Sequence, residues 1–166
     1  RSSPAYKRVL RALVSDLDLS SNISFLDYFP LQQDLFEHIA KSRIAVLPIK
    51  IDLIPSTIRE AMILKLPVVT YRTSGTPFLN RHGEAVLLSE IGDISMLAEN
   101  MLKVLFDSNL RQRLVSNASA VYRKDFDSET IASGLVKDYF AVRNHYFDKV
   151  PIPEERMFDE NEFPSY

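Results

Sequence analysis

Residues 44–71 read IAVLPIKIDLIPSTIREAMILKLPVVTY and contain two short predicted strands on either side of a helical pattern. Residues 44–47 are a continuous apolar run, typical of a parallel strand that is covered on both faces, and residues 68–71 form the next such strand. Between them, four apolar side chains recur at helical spacing: Ile58, Ala61, Met62 and Leu66. The stretch therefore predicts one strand–helix–strand unit of a parallel sheet.

The alternation of strands and helices continues on both sides of this unit. Ser3 and Pro4 predict a helix start, because a capping hydroxyl precedes a proline at the first helical position. Further strands are predicted at residues 23–26 and 85–88, and a further helix at residues 31–39. The fold class that follows is α/β, with a Rossmann-like parallel sheet and helices on both of its faces.

The C-terminal part of the chain is predicted to be helical from Asp93 to about Phe147. Capping residues cluster near residues 107–108 and 125–128, which divides this part into three helices. Aromatic side chains at core spacing, among them Phe140 and Tyr146, are predicted to pack inside the protein rather than stack on a base. Residues 1–147 are therefore predicted to form one domain, and the acidic, proline-containing residues 148–166 an extended surface tail.

Composition excludes several classes of function. The chain has 166 residues and a net charge of -2, so it has no basic excess for a nucleic-acid partner. It contains no cysteine, which excludes thiol catalysis and cysteine-ligated metal, and it shows no histidine spacing typical of a metal site. We therefore expect no metal and no cofactor. The start at Arg1, without a methionine, indicates an interior cut point.

The segment between the two strands of the strand–helix–strand unit carries the candidate chemistry. Asp52 lies in the loop that leaves a buried strand, and Glu60 lies eight positions later, about one turn inside the next helix. Around residues 56–58 the backbone amides have no helical partners, and together with the helix dipole they form an anion site. Ligands of open parallel sheets bind at this edge, beyond the carboxyl ends of the strands.

The segment resembles the acid-x7-acid motif of retaining glycosyltransferases of the GT-B type, the group 1 glycosyl transferase family. Five surrounding stretches are similar to further motifs of that family in the same order: residues 22–26, 44–48, 66–69, 74–77 and 85–88. The resemblance covers roughly residues 5 to 145. It implies the C-terminal, donor-nucleotide half of a GT-B fold, truncated at its N-terminus, and transfer of a sugar from a nucleotide-sugar to a glycan or lipid-linked acceptor.

The resemblance also assigns roles to individual residues. Asp52 becomes the candidate catalytic residue, which contacts hydroxyls of the donor sugar, and Glu60 binds the ribose of the nucleotide. The remaining candidate substrate-binding residues are the helix start beside the diphosphate, a turn near the sugar and the loop beside the base: Ser56, Thr57, Ile58, Gly75, Asp27 and Tyr28.

Three positions depart from the family pattern, among them Pro55, which stands in the place of a glycine-rich part of the motif loop. The first acid is Asp52 instead of the usual glutamate, so its carboxylate reaches less far by one methylene. Lys65 replaces the usual glycine after the Glu-Ala-Met sequence. Because lysine disfavours the left-handed conformation of a glycine helix cap, we expect this helix to end in a different way.

The resemblance further implies partners that the sequence does not contain. The acceptor domain of the family and two central strands would lie upstream, so we expect the chain to fold with a partner or with another copy of itself. The implied substrate is a nucleotide-sugar, and the implied location is the cytoplasm, either free or at the inner face of the membrane. Contact with the membrane itself is left open.

Other interpretations of the same residues stay open. Thr57-x-x-Glu60 also matches a capping box, and Arg59 is predicted to form a surface ion pair. A nucleotide-sugar epimerase of the same architecture, or a nucleotide-sugar-binding module without chemistry, are the alternatives to a transferase.

Overall fold

The computed structural model describes residues 3–26 and 28–154. The chain forms two compact units, Arg1–His38 and Ile39–Tyr166. The first unit contains helix α1 (Pro4–Asp16) and most of helix α2 (Gln32–Ile39). The predicted start of α1 is confirmed, because the Ser3 hydroxyl accepts a hydrogen bond from the Tyr6 amide at 3.2 Å.

The second unit alternates strands and helices, as the sequence predicts. Its elements in chain order are β1 (Ala45–Leu47), α3 (Ser56–Ile63), β2 (Val68–Tyr71), a 3-10 turn (Thr76–Asn80), β3 (Val86–Ser89), α4 (Ile94–Phe106), α5 (Ser108–Val121), a π-helical turn (Tyr122–Phe126) and α6 (Ser128–Asp148). The predicted α/β class is confirmed by this order.

The strands of the second unit form a parallel sheet in the order β1-β2-β3. Val46 lies opposite Val69, and Val69 in turn lies opposite Leu87. All three strands run in the same direction, so their carboxyl ends share one edge of the sheet. Among the described residues, β1 is bonded to one neighbouring strand only and leaves its other edge unpaired.

Helices cover both faces of the sheet. Successive strand residues point to opposite sides, so each face presents apolar side chains that a helix can bury. On one face, Val68 and Val86 pack in a buried cluster with Ile58 of α3. On the other face, Val69 and Leu87 pack in a second cluster that includes residues of α4 and α5. The predicted Rossmann-like arrangement, with helices on both faces of a parallel sheet, is confirmed.

The predicted divisions of the C-terminal helical region are confirmed by its N-caps. The carboxylate of Asp93 accepts from the Met96 amide at the start of α4, and Asp107 caps α5 in the same way. Asp127 caps α6, where its carboxylate accepts from the Thr130 amide at 3.0 Å. The backbone hydrogen bond from Thr130 lowers the pKa of Asp127 below its ordinary value.

The end of α3 corrects the prediction about Lys65. Lys65 adopts the left-handed conformation, with φ 57°, in the place that glycine usually takes. Its amide donates to the Met62 carbonyl at 3.1 Å, and the Leu66 amide donates to the Ala61 carbonyl at 3.0 Å. These are the two bonds of a Schellman motif, so the helix ends in the ordinary way despite the strain of a lysine there.

The predicted strand at residues 23–26 is wrong. These residues have no regular secondary structure, and the Ile23 amide donates to the Leu19 carbonyl at 3.1 Å instead of to a neighbouring strand. No strand among the described residues pairs with this segment. A short apolar run without a ladder partner has no acceptors for its amides, so local β-propensity alone does not produce a strand.

Helix α6 presents its apolar side chains to the solvent. Phe140 and Tyr146 are 50% and 69% exposed, so the prediction that they pack inside is wrong. The described residues include nothing that covers this helix, and none of its residues is buried.

No helix in residues 3–26 and 28–154 is long and apolar enough to cross a membrane. Most of the predicted tail, residues 155–166, lies outside the described residues, so the domain division at residue 148 stays a prediction.

Candidate functional site

The loop after β1 places Asp52 at the carboxyl edge of the sheet. Asp52 is exposed, and its Oδ1 accepts a hydrogen bond from the neighbouring Leu53 amide at 2.7 Å. This bond fixes one carboxylate oxygen within the loop. The structure shows no hydrogen bond from a described residue to the other oxygen, which is therefore able to accept from the hydroxyl of a ligand.

The turn after β2 is a rigid hydrogen-bonded unit. The Thr73 amide donates to Oγ1 of Thr76 at 2.8 Å, and the Thr76 hydroxyl donates to the Tyr71 carbonyl at 2.9 Å. The Thr76 amide donates back to Oγ1 of Thr73 at 3.3 Å. Both threonines are buried, so these bonds are shielded from water and hold the turn in one conformation.

This turn contacts the Asp52 loop at Leu53. The Thr73 hydroxyl donates to the Leu53 carbonyl at 3.2 Å. A Cβ atom added to Gly75 would lie only 2.4 Å from the same carbonyl oxygen, so the two backbones approach each other too closely for any side chain. Gly75 has φ -104°, which any residue adopts, and it is required here for the close approach alone. The turn thus holds the loop that carries Asp52.

A cleft of about 500 Å³ opens between these loops at the carboxyl edge of the sheet. One carboxylate, one ammonium group and two hydroxyl groups line it, together with apolar side chains: Lys50, Ile51, Asp52, Leu53, Thr73, Ser74 and Ile91. Clefts of this volume are typical of small-molecule sites. Its polar groups can bind hydroxyls and an anionic group of one ligand.

The sequence interpretation missed part of this lining, including Lys50, Thr73 and Ser74. The signal that would have found them is their position, because each lies in the loop that leaves the carboxyl end of a parallel strand. Of the turn at residues 73–77, the sequence interpretation selects only Gly75 as a candidate binding residue.

The start of α3 excludes the capping-box interpretation of Glu60. The N-cap position is Pro55, which offers no side-chain acceptor, and the structure shows no side-chain cap hydrogen bond there. Thr57 lies inside the helix, so its hydroxyl is too far along the chain to act as the N-cap of a Thr57-x-x-Glu60 box. The capping alternative is therefore wrong, because the helix begins before Thr57.

The first amides of α3 differ in what they bind. The Ile58 amide donates to the Pro55 carbonyl at 3.1 Å, and the Ile58 side chain is fully buried in the core. The amides of Ser56 and Thr57 have no acceptor among the described residues, and both residues are exposed. Ser56 and Thr57, with the positive end of the helix dipole, are therefore able to bind an anion, whereas Ile58 serves mainly the core.

Glu60 is half-buried and does not line the cleft that holds Asp52. Its carboxylate has no hydrogen bond or ion pair to another described residue and is therefore available to a ligand. Its neighbour Arg59 also forms no ion pair among the described residues. The Arg59 guanidinium lies 5.6 Å from the ring centre of Phe126, and its Nε is buried without a hydrogen-bond partner. The predicted surface ion pair of Arg59 is wrong.

The structure does not test the two candidates for the base-binding loop. Asp27 lies outside the described residues. Tyr28 is exposed and belongs to the first compact unit, Arg1–His38, whereas the Asp52 cleft belongs to the second. The role of both residues beside the base stays a prediction.

Within residues 3–26 and 28–154, no group of three histidine, aspartate or glutamate side chains is placed to hold a metal ion.

Comparison with known proteins gives one family. The family model described as "Glycosyl transferases group 1" matches residues 3–121. The chain is 27% identical over 139 residues to N-acetyl-alpha-D-glucosaminyl L-malate synthase of Bacillus anthracis, and these residues are 84% of the chain and 35% of that protein. The chain thus spans about a third of the length of this relative.

Two solved structures share the fold. A sucrose-phosphate synthase from Thermosynechococcus elongatus superposes with a TM-score of 0.72 and 22% identity, over 86% of the chain and 35% of that protein. The C-terminal domain of a glycosyl transferase group 1 family protein, LpcC, from Francisella tularensis gives a TM-score of 0.67 and 18% identity. This match covers 75% of the chain and 64% of the LpcC domain structure. At these identities the likeness concerns the fold alone, and it confirms the predicted Rossmann-like half of a GT-B architecture.

Proposed function

The chain belongs to the glycosyl transferases group 1 family, and we propose that it forms the donor-binding part of a retaining glycosyltransferase that uses a nucleotide-sugar. The proposal is carried by polar groups that have no hydrogen-bond partner among the described residues and that lie on one segment at the carboxyl edge of the sheet. Asp52 offers a carboxylate oxygen, Ser56 and Thr57 offer amides, and Glu60 offers a second carboxylate. Sugar hydroxyls, a diphosphate and a ribose need these three kinds of group.

The proposed mechanism follows from these groups. The amides of Ser56 and Thr57 lie at a helix N-terminus, where they stabilise the negative charge that develops on the departing diphosphate. Asp52, held in place through the bonds at Leu53, orients the donor sugar by accepting from its hydroxyls. Retention at the sugar carbon is the outcome that the family resemblance implies. The proposed reaction uses no metal ion and no cofactor.

A nucleotide-sugar epimerase and a binding module without chemistry are the competing functions. The family membership favours transfer over epimerisation. A purely binding role would keep nucleotide affinity but show no transfer by the whole protein. Loss of transfer in Asp52→Asn, with unchanged nucleotide affinity, would therefore favour the transferase over the binding module.

The whole protein's partners are proposed on the same basis. Because β1 has one ladder neighbour among the described residues, we propose that its free edge pairs with a further strand, from an acceptor-side part of the protein or from a second copy. Sedimentation of the chain at several concentrations distinguishes the two, because pairing with a second copy gives a dimer. The acceptor class (a glycan or a lipid-linked sugar), a role in polysaccharide assembly and the cytoplasmic location stay proposals.

Calorimetric titration of the chain with UDP, GDP and their sugars tests the proposed function. We expect binding that weakens about 10- to 100-fold in Glu60→Gln, because a charged acceptor of the ribose hydroxyls is lost. Glu99→Gln is the matched control, since Glu99 is an exposed carboxylate on α4, outside the site. Equal affinities of the two variants would contradict the assignment of Glu60.

A further inference from the structure

A second cleft, of about 380 Å³, lies at the opposite edge of the sheet from the Asp52 cleft. Its lining includes residues that directly precede β1 and β2 and the first turns of α5: Ser42, Arg43, Lys65, Leu66, Pro67, Ser108, Arg111, Gln112 and Val115. It is therefore separate from the proposed donor site, which lies beyond the carboxyl ends of the same strands.

The lining carries three cationic side chains and no acidic one, although the whole chain has a net charge of -2. Arg43 and Lys65 are exposed and form no ion pair with another described residue. The adjacent acid, Asp107, is engaged as the N-cap of α5, where its Oδ1 accepts from two backbone amides at 2.9 Å. The positive charge of the cleft is thus not neutralised by a side chain of its lining.

Arg111 is held in place by the end of α4. Its Nη1 donates to the carbonyl oxygens of Val104 and Leu105, each at 2.8 Å. These bonds leave its Nε and Nη2 without an acceptor among the described residues. A guanidinium that is anchored on one nitrogen loses little freedom when its other donors bind a ligand.

Lys65 keeps a strained backbone at this cleft. Its φ of 57° is a conformation in which glycine is unstrained and lysine is disfavoured. A glycine would satisfy the end of α3 with the same two backbone bonds and no strain. The fold therefore does not require a lysine here, and a strained residue beside an unneutralised cationic cleft points to a binding role for its side chain.

We infer that this cleft binds a phosphate-bearing ligand, with Arg43, Lys65 and Arg111 as its cationic contacts. Guanidinium groups match the oxygens of a phosphate by paired hydrogen bonds, and three cations without an acid favour a multiply charged anion over a single carboxylate. The hydroxyls of Ser42 and Ser108 add neutral donors to the lining. The volume suits a ligand of the size of a pyrophosphate or a sugar phosphate.

Lys65→Gly is the decisive variant, because it removes the cation and the backbone strain together. We expect its affinity for pyrophosphate to fall about tenfold, while its midpoint of thermal unfolding stays the same or rises. Lys65→Arg keeps the charge and is expected to retain binding. Lys137→Gln on α6 is the control for a cation outside the cleft, and it is expected to bind as the unchanged chain does.

Titration of the chain with pyrophosphate, followed by nuclear magnetic resonance of the backbone amides, locates the site. Shifts at Lys65, Leu66 and Arg111 would support the inference. No binding, shifts confined to residues 52–60, or equal affinity of Lys65→Gly and the unchanged chain would each overturn it. Loss of the donor site would leave this result untouched, since the two clefts lie at opposite edges of the sheet.

Sedimentation with vesicles distinguishes a free phosphate ligand from a lipid headgroup. Phosphatidylglycerol vesicles are the anionic probe, and phosphatidylcholine vesicles are the neutral control. Binding to the anionic vesicles that Lys65→Gly loses would assign the phosphate to a lipid, whereas pyrophosphate binding without vesicle binding would assign it to a soluble ligand. Absence of both would refute the site.

Discussion

Replacing Gly75 by alanine is expected to destabilise the second unit by displacing the loop that carries Asp52. The added Cβ would lie 2.4 Å from the oxygen, 2.6 Å from the carbon and 2.8 Å from the Cα of Leu53. Because these neighbours are backbone atoms, no side chain can rotate away. The loop must move by about 1 Å to restore an ordinary contact distance of roughly 3.5 Å.

The expected change in the free energy of unfolding combines three terms. Forced movement in a packed region costs about 1–3 kcal/mol. The hydrogen bond from the Thr73 hydroxyl to the Leu53 carbonyl, already 3.2 Å long, would be lost at a cost of about 0.5–1.5 kcal/mol. Alanine restricts the unfolded chain and returns about 0.4–1 kcal/mol. The net loss is about 0.5–4 kcal/mol, or roughly 1–16 °C in the midpoint of thermal unfolding.

Urea and thermal unfolding of the variant measure this loss, and Gly134→Ala is the matched control. A Cβ at Gly134, inside α6, meets no atom within 4 Å outside its own helix backbone, so alanine is expected to stabilise the helix by about 0.5–1 kcal/mol. The two glycine-to-alanine changes should thus have opposite signs. A Gly75→Ala variant as stable as the unchanged chain would refute the close approach between the turn and the loop.

Two further predictions concern the core and a helix cap. Leu114→Ala, at a fully buried position, is expected to lower the free energy of unfolding by about 2–5 kcal/mol. Leu102→Ala, at an exposed position, is the control and should change this free energy little. Equal effects of the two variants in urea unfolding would contradict the core assignment. The pKa of Asp127 is lowered by its bond from the Thr130 amide, so the cap stabilises α6 above about pH 3.9 and is lost as the pH falls through the lowered folded-state pKa. Asp127→Asn should keep a cap without this pH dependence, because asparagine caps a helix without a charge. Amide hydrogen exchange at Thr130, measured against pH, checks this. An equal response to pH in the variant and in the unchanged chain would refute the charge effect.

The fold of the second unit was largely predictable, because local patterns and global packing agree there. The apolar strands, the helix between them and the aspartate caps at Asp93, Asp107 and Asp127 each follow from residues close in sequence. The predicted strand at residues 23–26 failed because a strand also needs a neighbour, which a local pattern does not reveal. The buried positions predicted for Phe140 and Tyr146 failed for the same kind of reason, since helical spacing does not say what covers a helix.

The candidate site was predictable in its position and less so in its contacts. The carboxyl-edge rule located Asp52 and the start of α3 correctly at the end of a strand. The contact of Gly75 and Thr73 with Leu53 joins residues about twenty positions apart, so no local pattern contains it. The left-handed conformation of Lys65 was also missed, because the two backbone bonds of the helix end outweigh the preference of its side chain.

The central claim is that the segment from Asp52 to Glu60 binds the donor nucleotide. Amide resonances of the isotopically labelled chain, recorded during titration with UDP and with GDP, test it most directly. We predict that the amides of Ser56 and Thr57 shift with saturation, and that Glu60→Gln weakens this response while the fold is unchanged. Saturating nucleotide that leaves every amide of residues 52–60 unshifted would contradict the account.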